Sequence, residues 1–211
     1  MNRFNNIIKK LNYFLVKHNL FNFGYKWRKI NICSGSIILD GYCNIDIEPS
    51  ADICIDLEKK LFPFLDGSIN TAVCISAINY FTRERAQEIV NETYRVLEKD
   101  GIARFATQDF KTIVKKYLSD DKKFFFQKLS SGEQRFRGET MADKINSWFY
   151  GYKTSGDKSC KYFYDYDTLE TLFKKAGFKN IKNKKYMESS IPEIKLIDNR
   201  PEQMFFLEAI K

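Results

Sequence analysis

Histidine is nearly missing from this 211-residue sequence, which has His18 and no other. That argues against a histidine general base and against histidine-held zinc or haem. The five cysteines, Cys33, Cys43, Cys54, Cys74 and Cys160, form no CxxC pair and no zinc-like spacing with His18, so no metal site is expected. Cys43, Cys54 and Cys74 lie in or beside apolar runs. Reduced, buried thiols of that kind fit a cytoplasmic protein. No apolar run approaches the roughly 18 residues of a membrane-spanning helix. Polar residues interrupt every run in the opening stretch, MNRFNNIIKKLNYFLVKHNLF, so it does not read as a signal peptide.

What is present is ordinary globular chemistry: 44% hydrophobic and 29% charged residues, enough for a full core in one domain spanning 1–211. Phe (19) and Tyr (12) are abundant, which fits heavy core packing better than stacking platforms. The formal net charge of +8 favours anionic partners, weakly, because the lysines are scattered.

Apolar periodicity divides the chain. Phe4, Ile7, Ile8, Leu11, Phe14 and Leu15 recur at helical spacing, so residues 1–28 are expected to form a helical extension. A helix capping the domain's own sheet is the favoured reading, and peripheral membrane contact the less favoured one. From Lys29, short β-rich runs follow at KINIC, YCNIDI, ADICIDL, TAVCIS and IARFAT. Between the last two lies a helix, with Thr82 as N-cap, a buried face of Ala86, Ile89, Val90, Thr93, Val96 and Leu97, and Gly101 as its stop. Residues 111–158 read as a helical and irregular insertion over an active-site crevice. A helix ending at Gly177 and two last strands complete the pattern. Strands apolar on both faces and interleaved with helices predict an α/β fold, a mostly parallel central sheet with helices on both faces.

Four runs, in order, carry a resemblance: INICSGSIILDGYCNIDI (30–47), ADICIDLEKKLFPFLDGSINTAVCISAINYF (51–81), EIVNETYRVLEKDGIARFATQDF (88–110) and YDYDTLETLFKKAGF (164–178). Their order and spacing resemble class I methyltransferases dependent on S-adenosylmethionine (SAM). The chain is similar to the group associated with surface-polysaccharide biosynthesis, also at its end, ESSIPEIKLIDNRPEQMFFLEAIK (188–211). The resemblance implies a Rossmann-like methyltransferase fold, SAM as cofactor and a small-molecule or sugar acceptor.

It also implies site residues. The turn Cys33-Ser34-Gly35 after the first strand would meet the methionine moiety, with Gly35 giving the tight turn that lets backbone N–H groups approach. Asp46 would accept from the ribose hydroxyls. Asp56 or the Leu57 backbone would meet the adenine, with Leu57 packing on the ring, and Ser76 would face the cofactor from the far side of the switch point. Asp109, ending the fifth strand, is the candidate base. Tyr162 and Tyr164 read equally as pocket wall or core.

The departures are specific. Cys33 stands where the family's turn has its first glycine, and its side chain would crowd the backbone there. Asn79-Tyr80 stands where the group often has Glu-His, and Cys160 where it often has a histidine. They keep a second reading open, a non-catalytic binding or scaffold protein with a degenerate SAM site. A nucleic-acid methyltransferase is disfavoured: with proline only at Pro49, Pro63, Pro192 and Pro201, no Asn/Asp-Pro-Pro-aromatic tetrapeptide exists. A homodimer stays open.

Overall fold

The computed structural model describes residues 27–129, 131–150 and 159–211, together with Ile7, Leu11, Phe14 and Leu15. Those four are helical, and Ile7, Leu11 and Phe14 are exposed. The rest of the expected N-terminal helix, His18 included, and residues 151–158 of the insertion lie outside the described residues.

Seven strands form one sheet: β1 (Lys29–Ile32), β2 (Cys43–Asp46), β3 (Ile53–Cys54), β4 (Ile69–Ile75), β5 (Leu97–Gln108), β6 (Asn180–Lys184) and β7 (Met204–Ile210). Their order is β3-β2-β1-β4-β5-β7-β6. The first five run parallel; β7 is antiparallel to both β5 and β6. Chain direction therefore departs in opposite senses from β1 and β4, leaving a crevice at their carboxyl ends.

Side chains alternate across the pleat. Ala72, Cys74, Ala103 and Phe105 face one layer, which holds α1 (Arg83–Val96) and, after the insertion, α5 (Tyr166–Ala176). Val73, Ile75 and Ile102 face the other, against Leu39, Tyr42 and the short helix α6 (Ile194–Ile197). Helix α1 follows its pattern: Thr82 Oγ1 accepts from Arg85 N at 3.2 Å, and every residue of the expected apolar face is buried. Its stop differs from expectation. The helix ends at Val96, Leu97 already begins β5, and Gly101 lies inside that strand. The register slips between Ile69 and Thr71, and a Cβ at Gly101 would stand 2.9 Å from Glu98 O and 3.3 Å from Asn70 O. The glycine admits a close strand approach rather than ending a helix.

Between β5 and α5 the chain forms α2 (Phe110–Leu118), α3 (Lys122–Phe125) and α4 (Met141–Tyr150). Ile113, Phe124, Phe125, Phe136, Trp148 and Phe149 make a separate small core. Lys144 is fully buried in this segment, donating to Gln134 Oε1 (2.7 Å), Gly138 O (2.9 Å) and Phe136 O (3.1 Å).

One buried charge ties the last strands to the sheet. Arg104, on β5, is fully buried. Its guanidinium pairs with both oxygens of Asp198, at 2.5 and 3.2 Å, and donates to the carbonyls of Lys185 and Glu188, each at 3.2 Å. Glu208, its register partner on β7, stands 3.6 Å away. Removing one partner would strand a buried ion, a loss of about 3–5 kcal/mol. Asp198→Ala should therefore lower the unfolding free energy obtained from urea denaturation by an amount in that range; an unchanged free energy would show that the pair carries no net stability.

Candidate functional site

The sheet's carboxyl edge opens into a cavity of about 290 Å³. It is built first by the segment after β1. Ser34 N donates to Ile45 O at 3.1 Å, folding the chain back across β2. Asn31, Asn44 and Asp52 then lock the following loop: Asn31 Nδ2 donates to Ile37 O (2.9 Å), Leu39 N to Asn44 Oδ1 (2.9 Å), and Asn44 Nδ2 to Asp52 Oδ2 (2.9 Å). Gly35 sits at φ +55, with nothing within 4 Å of where a Cβ would stand. Its N–H donates to Asp46 Oδ2 at 2.9 Å, and Glu48 N donates to Asp46 Oδ1 at 2.9 Å. The carboxylate is thus held at the mouth of the turn by two backbone groups and keeps lone pairs for further donors.

The structure brings six of the expected residues to this cavity: Cys33, Ser34, Gly35, Asp46, Leu57 and Ser76 all line it. Asp56 does not. Its carboxylate accepts from Glu58 N at 3.0 Å and pairs with Lys59 at 2.9 Å, serving the turn that presents Leu57. Asp109 lies at the end of β5 but outside the lining. It is the N-cap of α2, accepting from Lys111 N at 3.1 Å and Thr112 Oγ1 at 2.5 Å. One step back along the strand, Gln108 takes the pocket position, as the two-residue side-chain period requires.

The altered positions prove to be neighbours. Asn79 is buried, and its Nδ2 donates to Cys160 Sγ at 2.9 Å. Thr107 Oγ1, with one proton to give, lies 3.3 Å from Asn79 Oδ1 and 3.1 Å from Gln108 Oε1. Gln108 Nε2 donates to Ser76 Oγ at 3.2 Å. One polar chain thus runs from Cys160 to Ser76, and Cys160, Gln108 and Ser76 all face the cavity. Burial pushes the Cys160 thiol up, against the opposing pull of the Asn79 amide, and burial drives Cys74 to about 12. Both stay protonated thiols near neutrality, unsuited to nucleophilic work. Tyr164 is core, its ionisation likewise pushed up by burial; with Tyr162 it borders a smaller neighbouring cavity rather than this one.

Sequence reading missed Gln108, Trp148, Arg200 and Gln203 in the lining. Trp148 arrives from the insertion. Arg200 and Gln203 arrive from the segment before β7, which reaches this edge because β7 runs antiparallel and starts beside the end of β5, Met204 opposite Gln108. Backbone strain collects here too. Cys33 (φ 55), Ser76 (φ 62) and Arg200 (φ 51) adopt left-handed conformations and line the cavity, each at a cost of about 1–2 kcal/mol.

These features fit a nucleoside bearing an amino-acid tail. A carboxylate stands at the end of β2, Ile55 and Leu57 form an apolar slot beside it, and the turn leaves open space over Gly35. Ser34 Oγ is buried with no hydrogen-bond partner among the described residues, an orphan at the turn where a ligand's polar group would be accommodated.

Asp109→Ala should cost about 1 kcal/mol as a lost helix cap, whereas Asp109→Asn should cost only a few tenths. Equal losses in chemical denaturation would contradict the cap assignment.

Two solved structures share the fold. A SAM-dependent methyltransferase from Archaeoglobus fulgidus aligns at a TM-score of 0.52 and 14% identity over 94% of each chain. A possible exported protein from Bordetella parapertussis aligns at 0.50 and 12% identity, over 95% of this chain and 67% of its own. None of the curated proteins matches the sequence. Among the described residues, no helix is long and apolar enough to cross a membrane. Residues 27–192, which span the sheet's first six strands and the crevice turn, match the ubiE/COQ5 methyltransferase family; with the Rossmann-like methyltransferase fold in place around that crevice, the chain belongs to this family, and its cofactor is S-adenosylmethionine.

Proposed function

We propose that the protein transfers a methyl group to an oxygen of a small anionic or carbohydrate acceptor, in surface glycan biosynthesis. The observation that carries the cofactor half is the Gly35–Asp46 latch. It presents a carboxylate at the end of β2, between the turn after β1 and the slot of Leu57. In this reading Asp46 accepts from the ribose hydroxyls, Leu57 and Ile55 enclose the adenine, and Cys33, Ser34 and Gly35 border the methionine portion. When bound, SAM supplies an electrophilic methyl on a sulfonium centre, a group reactive enough that placement and water exclusion do most of the work.

The chain's own residues supply that placement. Ser76, Tyr80, Gln108 and Trp148 line the cavity beyond the turn, offering hydroxyl, phenol, amide and indole groups around an acceptor. Such a wall suits a polyhydroxylated molecule, because each hydroxyl left unpaired in a buried site is costly. The glycan setting is supported by the sequence likeness at 188–211. Asp109 is tied up as a cap, so proton removal from the acceptor by Asp109 would require α2 to release it.

Cys33 favours a second reading, a binding protein with a weakened cofactor site. A non-glycine side chain at φ 55 lines the cavity where the backbone must be approached. Calorimetric titration with S-adenosylhomocysteine separates the two. The methyltransferase reading expects micromolar binding that Asp46→Asn weakens about 10- to 100-fold, the worth of hydrogen bonds to a charged group. No binding to the native protein, with tight binding restored by Cys33→Gly, would favour the scaffold reading.

A further inference from the structure

Among the described residues lining the cavity, two carry charge: Asp46 at the end of β2 and Arg200 in the segment before β7. The remainder are apolar or neutral, with Ile37, Ile75 and Trp148 among them. A half-buried guanidinium facing a cavity is a receptor for a carboxylate or a phosphate, because a forked, charge-assisted hydrogen bond is stronger than one between neutral groups.

Arg200 is also placed with care. Its backbone is held at φ 51, a conformation costly for arginine that persists only where the surroundings impose it. Two residues earlier, Asp198 is clamped by the buried Arg104. Three residues later, Gln203 N donates to Arg200 O at 3.2 Å, while Gln203 O accepts from Asp109 N at 2.8 Å. Asn199 Oδ1 accepts from Arg200 Nε at 2.8 Å, orienting the guanidinium plane. Asn199 itself borders a minor cavity with Cys33, Ser34 and Ile37. The segment therefore bridges the end of β5 and the turn after β1, over the carboxyl end of β4. If Asp46 marks the ribose, that is the opposite end of the cavity from the adenine slot.

We propose that Arg200 is the anion anchor of the methyl-transfer end of the cavity, receiving a carboxylate or phosphate group in its guanidinium fork. The assignment rests on the cofactor reading above. Two molecules could present that chemistry: the cofactor, through its amino-acid carboxylate, and an acidic acceptor. In both cases Arg200 sets specificity by charge and fork geometry, and the Arg104–Asp198 pair acts as its positioning device.

The test uses the full chain and three probes. S-adenosylhomocysteine carries the amino-acid tail; 5′-methylthioadenosine lacks it; inorganic phosphate, titrated into protein saturated with S-adenosylhomocysteine, reports a separate anion site. Arg200→Gln introduces no new backbone strain, and Arg200→Lys keeps the charge but not the fork. If the cofactor tail is the anion, Arg200→Gln weakens S-adenosylhomocysteine about 10- to 100-fold and leaves 5′-methylthioadenosine unchanged, with Arg200→Lys intermediate. If the acceptor is the source, both nucleosides bind as in the native protein, and the phosphate response seen there disappears in Arg200→Gln. Native binding of both nucleosides together with an unaltered phosphate titration in Arg200→Gln overturns the anchor alone. Failure of both nucleosides to bind the native protein overturns the cofactor reading and the anchor with it. A melting temperature for Arg200→Gln close to the native one shows that these losses are local.

Discussion

A fully buried arginine on a central strand is expensive unless its charge and donors are met, and the architecture around Arg104 gives four of its five N–H donors a hydrogen-bond partner and sets a second carboxylate 3.6 Å away. Asp198 supplies both carboxylate oxygens, Lys185 and Glu188 supply carbonyls, Glu208 stands close by, and the guanidinium carbon lies 5.0 Å from the centre of the Phe206 ring. These partners come from β7, from the segment after β6 and from the residue following α6. One ion thus gathers the chain's last thirty residues onto β5, and through them brings Arg200 and Gln203 over the crevice. Neither member of the pair lines the crevice, yet the pair holds the segment that carries Arg200 and Gln203.

The same economy appears where the family's usual residues are replaced. Asn79 and Cys160, separated by 81 positions, are bonded to each other, and through Thr107 and Gln108 they connect to Ser76. The substitutions read as losses one by one, but together they form a connected polar chain at the ends of β4 and β5. A buried polar group without partners is penalised, so such residues keep their place in sets. Cys33 is the exception: its left-handed backbone holds the geometry a glycine would adopt, with a side chain the geometry does not favour.

The cavity combines two kinds of wall. The turn after β1, with Gly35, Asp46 and the hydrogen-bonded Asn31–Asn44–Asp52 group beneath it, is assembled from residues within about two dozen positions of one another. The opposite wall is assembled from Gln108, Trp148, Cys160, Arg200 and Gln203, drawn from four separated segments. The first wall is local and rigid. The second depends on how the insertion and the last strands pack.

The sequence by itself determined the strands, the face of α1, the turn at Gly35 and the order of motifs, because alternation, capping and glycine torsions are set by neighbouring residues. It also placed Asp46 and Leu57 at strand ends, where an α/β crevice lies. It misjudged Gly101, whose role depends on Glu98 O and the carbonyl of Asn70 across the β4–β5 register slip rather than on the preceding helix. It named Asp109 as the candidate base; the structure uses that carboxylate to cap α2, and the pleat turns Gln108 inward. Tertiary structure alone decided that Asn79 meets Cys160, that Trp148 both belongs to the insertion's core and lines the cavity, and that Arg200 reaches it. The last of these follows from an antiparallel last strand and a buried ion pair spanning 94 positions. Contacts across such separations leave no periodic trace in the chain, because their geometry exists only once the sheet has closed around them.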